Sequence, residues 1–189
     1  MLPLLVGFSL IAPPAHVAAE VVALDNEQVR VVRVEAAPSS GPAIAKNLAL
    51  YVYFATSSAA PAGTIAPHQI PDGGSHFRIE LKHASEPAGL SEIRPAALKP
   101  GVSTEFDSSS LRVERVALAG GNGSQTIAAG KPSLLVAFSP TSMQLHSKPR
   151  SFTITLNCGD FYWMRPFESA VLKRTKSCDG HVLRIVFLS

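Results

Sequence analysis

The side chains that could do chemistry are few, and their spacing excludes more than it suggests. Six histidines are present, His16, His68, His76, His83, His146 and His181. None lies between His16 and His68 or between His83 and His146, and no two sit at a spacing that puts both on one face of one element. Each histidine therefore reads as a surface or loop residue. The two cysteines, Cys158 and Cys178, cannot hold zinc by themselves, because zinc takes four ligands and the only close histidine is His181. Among the carboxylates, Asp160 and Glu168 bracket an aromatic run, and Glu114 lies within an apolar one. Asp160 is placed to hold a turn through its backbone. Glu168 is the one acid whose burial would raise its pKa into a useful range, yet no partner base accompanies it. Serines are abundant, but none sits in a Gly-x-Ser-x-Gly elbow. Gly120-Gly121-Asn122-Gly123 lacks the Lys of a phosphate loop and reads as a hairpin connection. The aromatic supply is Tyr51, Tyr53, Phe54, Phe138, Tyr162 and Trp163, whose default use is packing.

The elements that must position these residues are strands. Fifteen prolines and 13 glycines in 189 residues suit short strands and frequent turns. A composition of 46% hydrophobic and 16% charged residues supports a buried core. Strands are expected at residues 21–24, 29–34, 48–55, 77–81, 111–117, 134–138, 151–156, 161–164, 171–174 and 181–188. Residues 83–104, with Pro87, Pro95 and Pro100, read as a connector. Residues 119–124 read as a loop and 143–150 as a turn region. No strongly amphipathic helix is visible.

One stretch occurs twice. Residues 25–34 read Asp-Asn-Glu-Gln-Val-Arg-Val-Val-Arg-Val, and residues 107–116 read Asp-Ser-Ser-Ser-Leu-Arg-Val-Glu-Arg-Val, a shift of 107 − 25 = 82. The strand at 50–54 returns at 134–138, a shift of 134 − 50 = 84. Leu183-Arg184-Ile185 echoes Phe77-Arg78-Ile79. The expected architecture is therefore a duplicated all-β protein.

Charge and hydropathy bound the partners. A net charge of +3 is small and dispersed, its densest run being Lys173, Arg174 and Lys176. Nucleic-acid binding would need a broad basic face with stacking aromatics, so none is expected. Residues 1–19 read as a signal peptide: 2–12 are apolar, Pro13 and Pro14 interrupt them, and Val17-Ala18-Ala19 offers a cleavage site before Glu20. That apolar run is too short for a stable membrane span, which needs about 20 residues. Export to a periplasmic or extracellular setting is the expectation. There Cys158 and Cys178 can close a disulfide, whose loop of about 20 residues would contribute about 3 kcal/mol in the chain-entropy model.

Several blocks resemble the cupin superfamily, in particular small duplicated exported cupins. These are the two apolar-Arg-Val-x-Arg-Val strands, the β-branched and aromatic strands at 50–54 and 134–138, Pro61-Ala62-Gly63-Thr64, Glu80-Leu81-Lys82, and Gly159-Asp160 followed by Phe161-Tyr162-Trp163-Met164. The resemblance implies two jelly-roll β-barrel or sandwich units. A metal-binding cupin would place a His-x-His pair and a further His inside each barrel. Here the aligned sites fall at Ala128, Gly130 and Ser169 or Ala170 in the second unit, and at Ile44, Lys46 and Ile65 in the first. None is an ordinary ligand for such a metal. His68 lies three residues past the first unit's third site.

The first unit also lacks room. Only six residues separate Phe54 from Pro61, where a full unit would hold another hairpin and strand. The expected layout is a signal peptide at 1–19, a truncated cupin-like unit at 20–82, a connector at 83–104 and a second unit at 105–189. The truncated sheet then needs cover from the other half or from a second chain in a homodimer. The expected activity is binding of a small molecule or a protein partner, without metal or cofactor. Tyr162, Trp163, Glu168 and Phe138 are the pocket candidates in the second barrel. The alternative is an enzyme that uses barrel acid/base groups such as Glu168.

Overall fold

The computed structural model describes residues 19–35, 49–70, 73–82, 89–97, 99–118, 123–175 and 180–188. The described residues contain strands and turns and no helix. The first half forms β1 (Glu20–Asp25), β2 (Val29–Val34), β3 (Ala49–Tyr53), β4 (Ile65–Ala66) and β5 (His76–Leu81). The second half forms β6 (Gly101–Asp107), β7 (Leu111–Leu118), β8 (Ser124–Ile127), β9 (Ser133–Ala137), β10 (Thr141–Ser147), β11 (Arg150–Leu156), β12 (Phe161–Met164), β13 (Ser169–Arg174) and β14 (Gly180–Phe187). All named pairings are antiparallel.

These strands build three sheets, ordered β1-β2-β5-β3-β4, β12-β9-β14-β7-β6 and β11-β10-β13-β8. Side-chain alternation shows how they stack. Along a strand, successive residues face opposite sides. In the middle sheet Leu111, Val113, Leu134, Val136, Leu183 and Ile185 join Val29, Val31, Leu50, Val52, Phe77 and Ile79 of the first sheet in one core. Their neighbours Val116, Leu118, Leu135, Ala137 and Val182 point the other way. They meet Ile127, Met143, Leu145, Ala170 and Leu172 of the four-stranded sheet in a second core. The middle sheet is thus covered on both faces. This explains why β9 is buried at every position and why β14 reads as a nearly unbroken apolar run.

The middle and four-stranded sheets form the jelly-roll barrel of the second half. The first half contributes one sheet, whose apolar face closes on the outside of that barrel. The two five-stranded sheets share a plan. Strand order β1-β2-β5-β3-β4 is matched by β6-β7-β14-β9-β12. Val21 pairs with Arg33 and Ser103 with Arg115. The register slips between Val22 and Leu24 in β1 and between Thr104 and Phe106 in β6, both exactly 82 positions apart (104 − 22 and 106 − 24).

Several expectations need correction. The turn region at 143–150 is largely strand: Thr141, Met143 and Leu145 of β10 alternate inward between Ser142, Gln144 and His146. The connector at 83–104 ends in β6, and within it Ile93 makes an isolated bridge with Ile65. β8 occupies 124–127, just after the glycine-rich loop, whose residues 119–122 lie outside the described residues.

One glycine in the interface between the halves is fixed by geometry, and another outside it serves as a contrast. Gly159 has φ of 78°, and a Cβ there would stand 3.0 Å from the Phe54 ring. Gly130 has open space around it. Gly159→Ala is therefore expected to cost about 1–3 kcal/mol in urea unfolding through backbone strain and the displaced ring. Gly130→Ala should stay within about 0.5 kcal/mol of the parent.

Candidate functional site

The barrel interior of the second half is where a cupin-like fold would carry chemistry, and it is packed with apolar side chains. Six come from the middle sheet (Val116, Leu118, Leu135, Ala137, Met164 and Val182) and six from the facing sheet (Ile127, Met143, Leu145, Leu156, Ala170 and Leu172). Ala170, at an aligned ligand position, is itself in this core. Ala128 and Gly130 are exposed at the barrel end, and Ile65 is buried in the shared core between the halves. Ile44 and Lys46 lie outside the described residues. No group of three or more His, Cys, Asp or Glu side chains that could hold a metal occurs among the described residues.

The four pocket candidates do not converge. Tyr162 packs on the barrel core, whereas its neighbour Trp163 points through the other face of β12 to pack at the shared core, 5.4 Å from the Phe187 ring. Phe138 also faces the shared core and stacks on His181 at 4.8 Å. Glu168 is buried, with 3% exposure, and closes a turn. Its Oε2 accepts from the Arg165 N–H at 2.8 Å, and the Tyr162 hydroxyl lies 3.5 Å away. Burial, then the nearby Glu168 carboxylate, pushes the Tyr162 hydroxyl pKa up. Glu168 and Tyr162 are thus together, and Trp163 and Phe138 lie across the sheet from them.

The sulfur pair is not supported. Cys158 is an exposed free thiol whose Sγ lies 3.7 Å from the Phe54 carbonyl oxygen. Burial of the sulfur, then the Asp160 charge, raises its pKa, which keeps it in the thiol form. Cys178 lies outside the described residues. His68 is exposed, His146 meets the Ser151 hydroxyl at 2.8 Å, and His83 is outside the described residues.

Two polar clusters were not anticipated. The first surrounds Arg115, which is only 1% exposed. Its Nε and Nη2 donate to the two Glu105 carboxylate oxygens at 2.6 and 2.8 Å. Its Nη2 also reaches into the first half and donates to the Gly63 carbonyl at 2.9 Å. Gly63 sits in the Pro-Ala-Gly-Thr run with φ of 92°, and a Cβ there would lie 2.9 Å from Arg115 Nη1 and 3.3 Å from His181 Nε2. Glycine is what lets the two halves meet at this point. Arg115 Nη1 and His181 Nε2 are buried without a hydrogen-bond partner. A bridging water suits a donor and an acceptor so placed. Arg112 and Arg115 are three residues apart in one strand and so face opposite sides. That odd spacing, with Arg115 in phase with Leu111 and Val113, is the sequence signal for its burial.

The second cluster lies on the face of the first sheet turned away from the shared core. Tyr51, Tyr53 and His76 are buried there together with Ala49, Ala60 and Ala66. The His76 ring lies 5.5 Å from Tyr51 and 5.1 Å from Tyr53. His76 Nδ1 donates to the Gly74 carbonyl, and the Tyr53 hydroxyl accepts from the Ile70 N–H. Burial raises the pKa of both tyrosines and lowers that of His76. Beside them Arg78 makes a two-pronged pair with Glu20, at 2.9 and 3.1 Å, and a further bond to Glu80 at 3.0 Å. Hydrogen bonding to Arg78 lowers the Glu20 pKa.

No family model matches the sequence, and no curated protein matches it. Solved structures do. A cupin 2 conserved barrel domain protein from Leptotrichia buccalis aligns over 94% of this chain and 92% of its own, with 10% identity and a TM-score of 0.58. An oxalate decarboxylase structure aligns over 90% of this chain and 72% of its own, with 11% identity and a TM-score of 0.62. Salicylate 1,2-dioxygenase from Pseudoaminobacter salicylatoxidans, determined as adducts with gentisate, aligns over 85% of this chain and 68% of its own, with 10% identity and a TM-score of 0.53. The fold is therefore the cupin fold, an all-β arrangement with jelly-roll units. Those neighbours include enzymes, so the fold by itself does not assign an activity.

The Arg115 cluster gives a pH signature. Burial, then the Arg115 charge, lowers the His181 pKa from its ordinary value of 6.5 to about 4. The folded state holds this ring neutral while the unfolded chain still takes up a proton. Its contribution is fully present above the unfolded value and is lost as pH falls toward 4, where the loss levels off. Unfolding free energy should therefore drop between about pH 6.5 and pH 4. His181→Gln should remove part of that slope, leaving the share owed to His76. An unchanged slope in the variant would contradict the assignment.

Proposed function

We propose that the chain is an exported, duplicated cupin-like protein that works by binding a partner rather than by metal-centred catalysis. Its first unit, 20–82, is reduced to one sheet, and its second, 105–189, keeps the barrel. The matching strand order and the bulges at a common offset of 82 support descent of both units from one repeat. The apolar 2–12 run and the small residues before Glu20 support export.

The observation that carries the binding reading is the interior of the second barrel. Ligand positions of a metal cupin are occupied by Ala128, Gly130 and Ser169 or Ala170, and the space between the sheets is filled by Leu, Val, Met and Ile side chains. Such a lining offers no imidazole or carboxylate to a metal; its lone pairs are the thioether sulfurs of Met143 and Met164, which suit soft copper(I) and not iron or manganese. Phe138 and Trp163 are spent on the shared core, so the aromatic residues do not line one small-molecule pocket. This favours a protein surface as the partner.

The enzyme reading rests on Glu168 and Tyr162, which are adjacent and buried or half-buried. In this geometry Glu168 serves the Arg165 turn, a structural task.

Metal analysis of the purified protein tests the reading. After incubation with ferrous or manganous salt and gel filtration, metal content should stay far below one equivalent per chain. A stoichiometric metal retained through gel filtration would overturn it.

A further inference from the structure

β11 is an outer strand of the four-stranded sheet, paired on one side with β10 through seven consecutive residue pairs without a bulge. Other sheet edges among the described residues are guarded. β1 and β6 are bulged and carry Glu20 and Asp25, and Glu105 and Asp107. β4 has two residues and is bridged by Ile93, while β8 and β12 have four residues each. Bulges, charges and shortness are the usual means by which a sheet edge avoids unwanted pairing. β11 has no bulge and is seven residues long; its one charge is Arg150 at the end, and from there it reads Ser-Phe-Thr-Ile-Thr-Leu, uncharged. Phe152 is 44% exposed although it faces the same side as Leu145 of the barrel core, its partner across the strand pair.

We infer that β11 pairs antiparallel with β11 of a second copy of this chain, across a two-fold axis at Thr153. The sequence is complementary to its own reverse about that residue. Phe152 falls opposite Ile154 of the second copy, Ser151 opposite Thr155, and Thr153 opposite Thr153. Aromatic with β-branched and hydroxyl with hydroxyl are favourable cross-strand partners. The same pairing would place Arg150 opposite Leu156, so no like charges meet. The two Lys148–Arg150 turns would lie at opposite ends, about 20 Å apart for a seven-residue strand. Alternate residues of an antiparallel edge turn their N–H and C=O groups outward, and the second copy would satisfy them. The two four-stranded sheets would then run on as one eight-stranded sheet, and the row Phe152, Ile154 and Leu156 would extend into its counterpart. Such a two-fold contact is closed, so it ends at a dimer instead of growing a fibre. The inference uses only this edge and does not depend on what else the chain binds.

Sedimentation equilibrium of the full chain and two variants tests it. The unmodified chain should be dimeric. T153K and T153E place like charges opposite each other at the axis and should each weaken the dimer by about tenfold or more, with unchanged far-UV circular dichroism. Mixing T153K with T153E should restore dimers. Hydrogen exchange gives a second measurement independent of the variants: amides at 151–155 of the unmodified chain should exchange more slowly at high than at low protein concentration. A chain monomeric at on the order of 100 µM, where even a weak contact of micromolar affinity would be populated, leaves this edge to a strand of another protein and overturns self-pairing. A dimer indifferent to T153K, a mixture that stays monomeric, or exchange at 151–155 independent of concentration would overturn it equally.

Discussion

Everything else in this structure depends on the apolar contact between the two five-stranded sheets. Nine buried residues of the first half and eight of the second form one cluster. Fully burying a side chain of this kind contributes roughly 1.5–3 kcal/mol before entropy is counted, and a domain's net stability is only about 5–15 kcal/mol. Neither half can forgo the contact. The first has a single sheet and no second layer of its own among the described residues. The second would expose Leu111, Val113, Leu134, Val136, Leu183 and Ile185 on the outside of its barrel. The single sheet of the first half presents the apolar face that the second half needs.

Two arginines set the alignment of that contact. Arg33 and Arg115 are 82 positions apart, and each crosses from its own half to a glycine carbonyl of the other. Arg33 Nη1 donates to Gly159 O at 3.2 Å while its guanidinium lies 4.6 Å from the Phe54 ring centroid. Arg115 Nη2 donates to Gly63 O. The environments differ. Arg33 is partly exposed and pairs with Glu35, so its charge stays solvated. Arg115 is buried, and its charge is balanced by Glu105 at the β6 bulge. A buried ion pair is a poor source of net stability, because desolvation offsets the attraction. Its value here is register: the guanidinium can satisfy Glu105 and Gly63 together only when the halves meet in one position.

The legibility of this arrangement in sequence follows the physics of burial. β2, β9 and β14 were readable because residues covered on both faces, or alternating cleanly, leave a strong apolar signal. β6 was hidden because an exposed edge strand, Gly-Val-Ser-Thr-Glu-Phe-Asp, has little periodicity to show. β10 was hidden by its flanking Pro140 and Pro149, although Thr141, Met143 and Leu145 carry the alternation. Two of the four pocket candidates, Tyr162 and Trp163, are neighbours in one aromatic run, and pleating sends them to opposite faces. Arg115 was visible as part of a repeat but not as a buried group, since its partner Gly63 lies 52 residues away and only the folded chain brings them together. His76 and His181 were read as surface or loop residues, whereas both lie in strands with His76 buried and His181 Nε2 enclosed, because their surroundings come from other strands.

The central claim is that the two halves form a single cooperative unit through the shared sheet face. Native-state hydrogen exchange, followed as a function of urea, measures this directly. The slowest amides of β2 and β5 in the first half should exchange through the same global opening as those of β9 and β14 in the second, with equal free energies and urea dependence. A first sheet that opens at distinctly lower free energy, while the second-half barrel stays closed, would contradict the account.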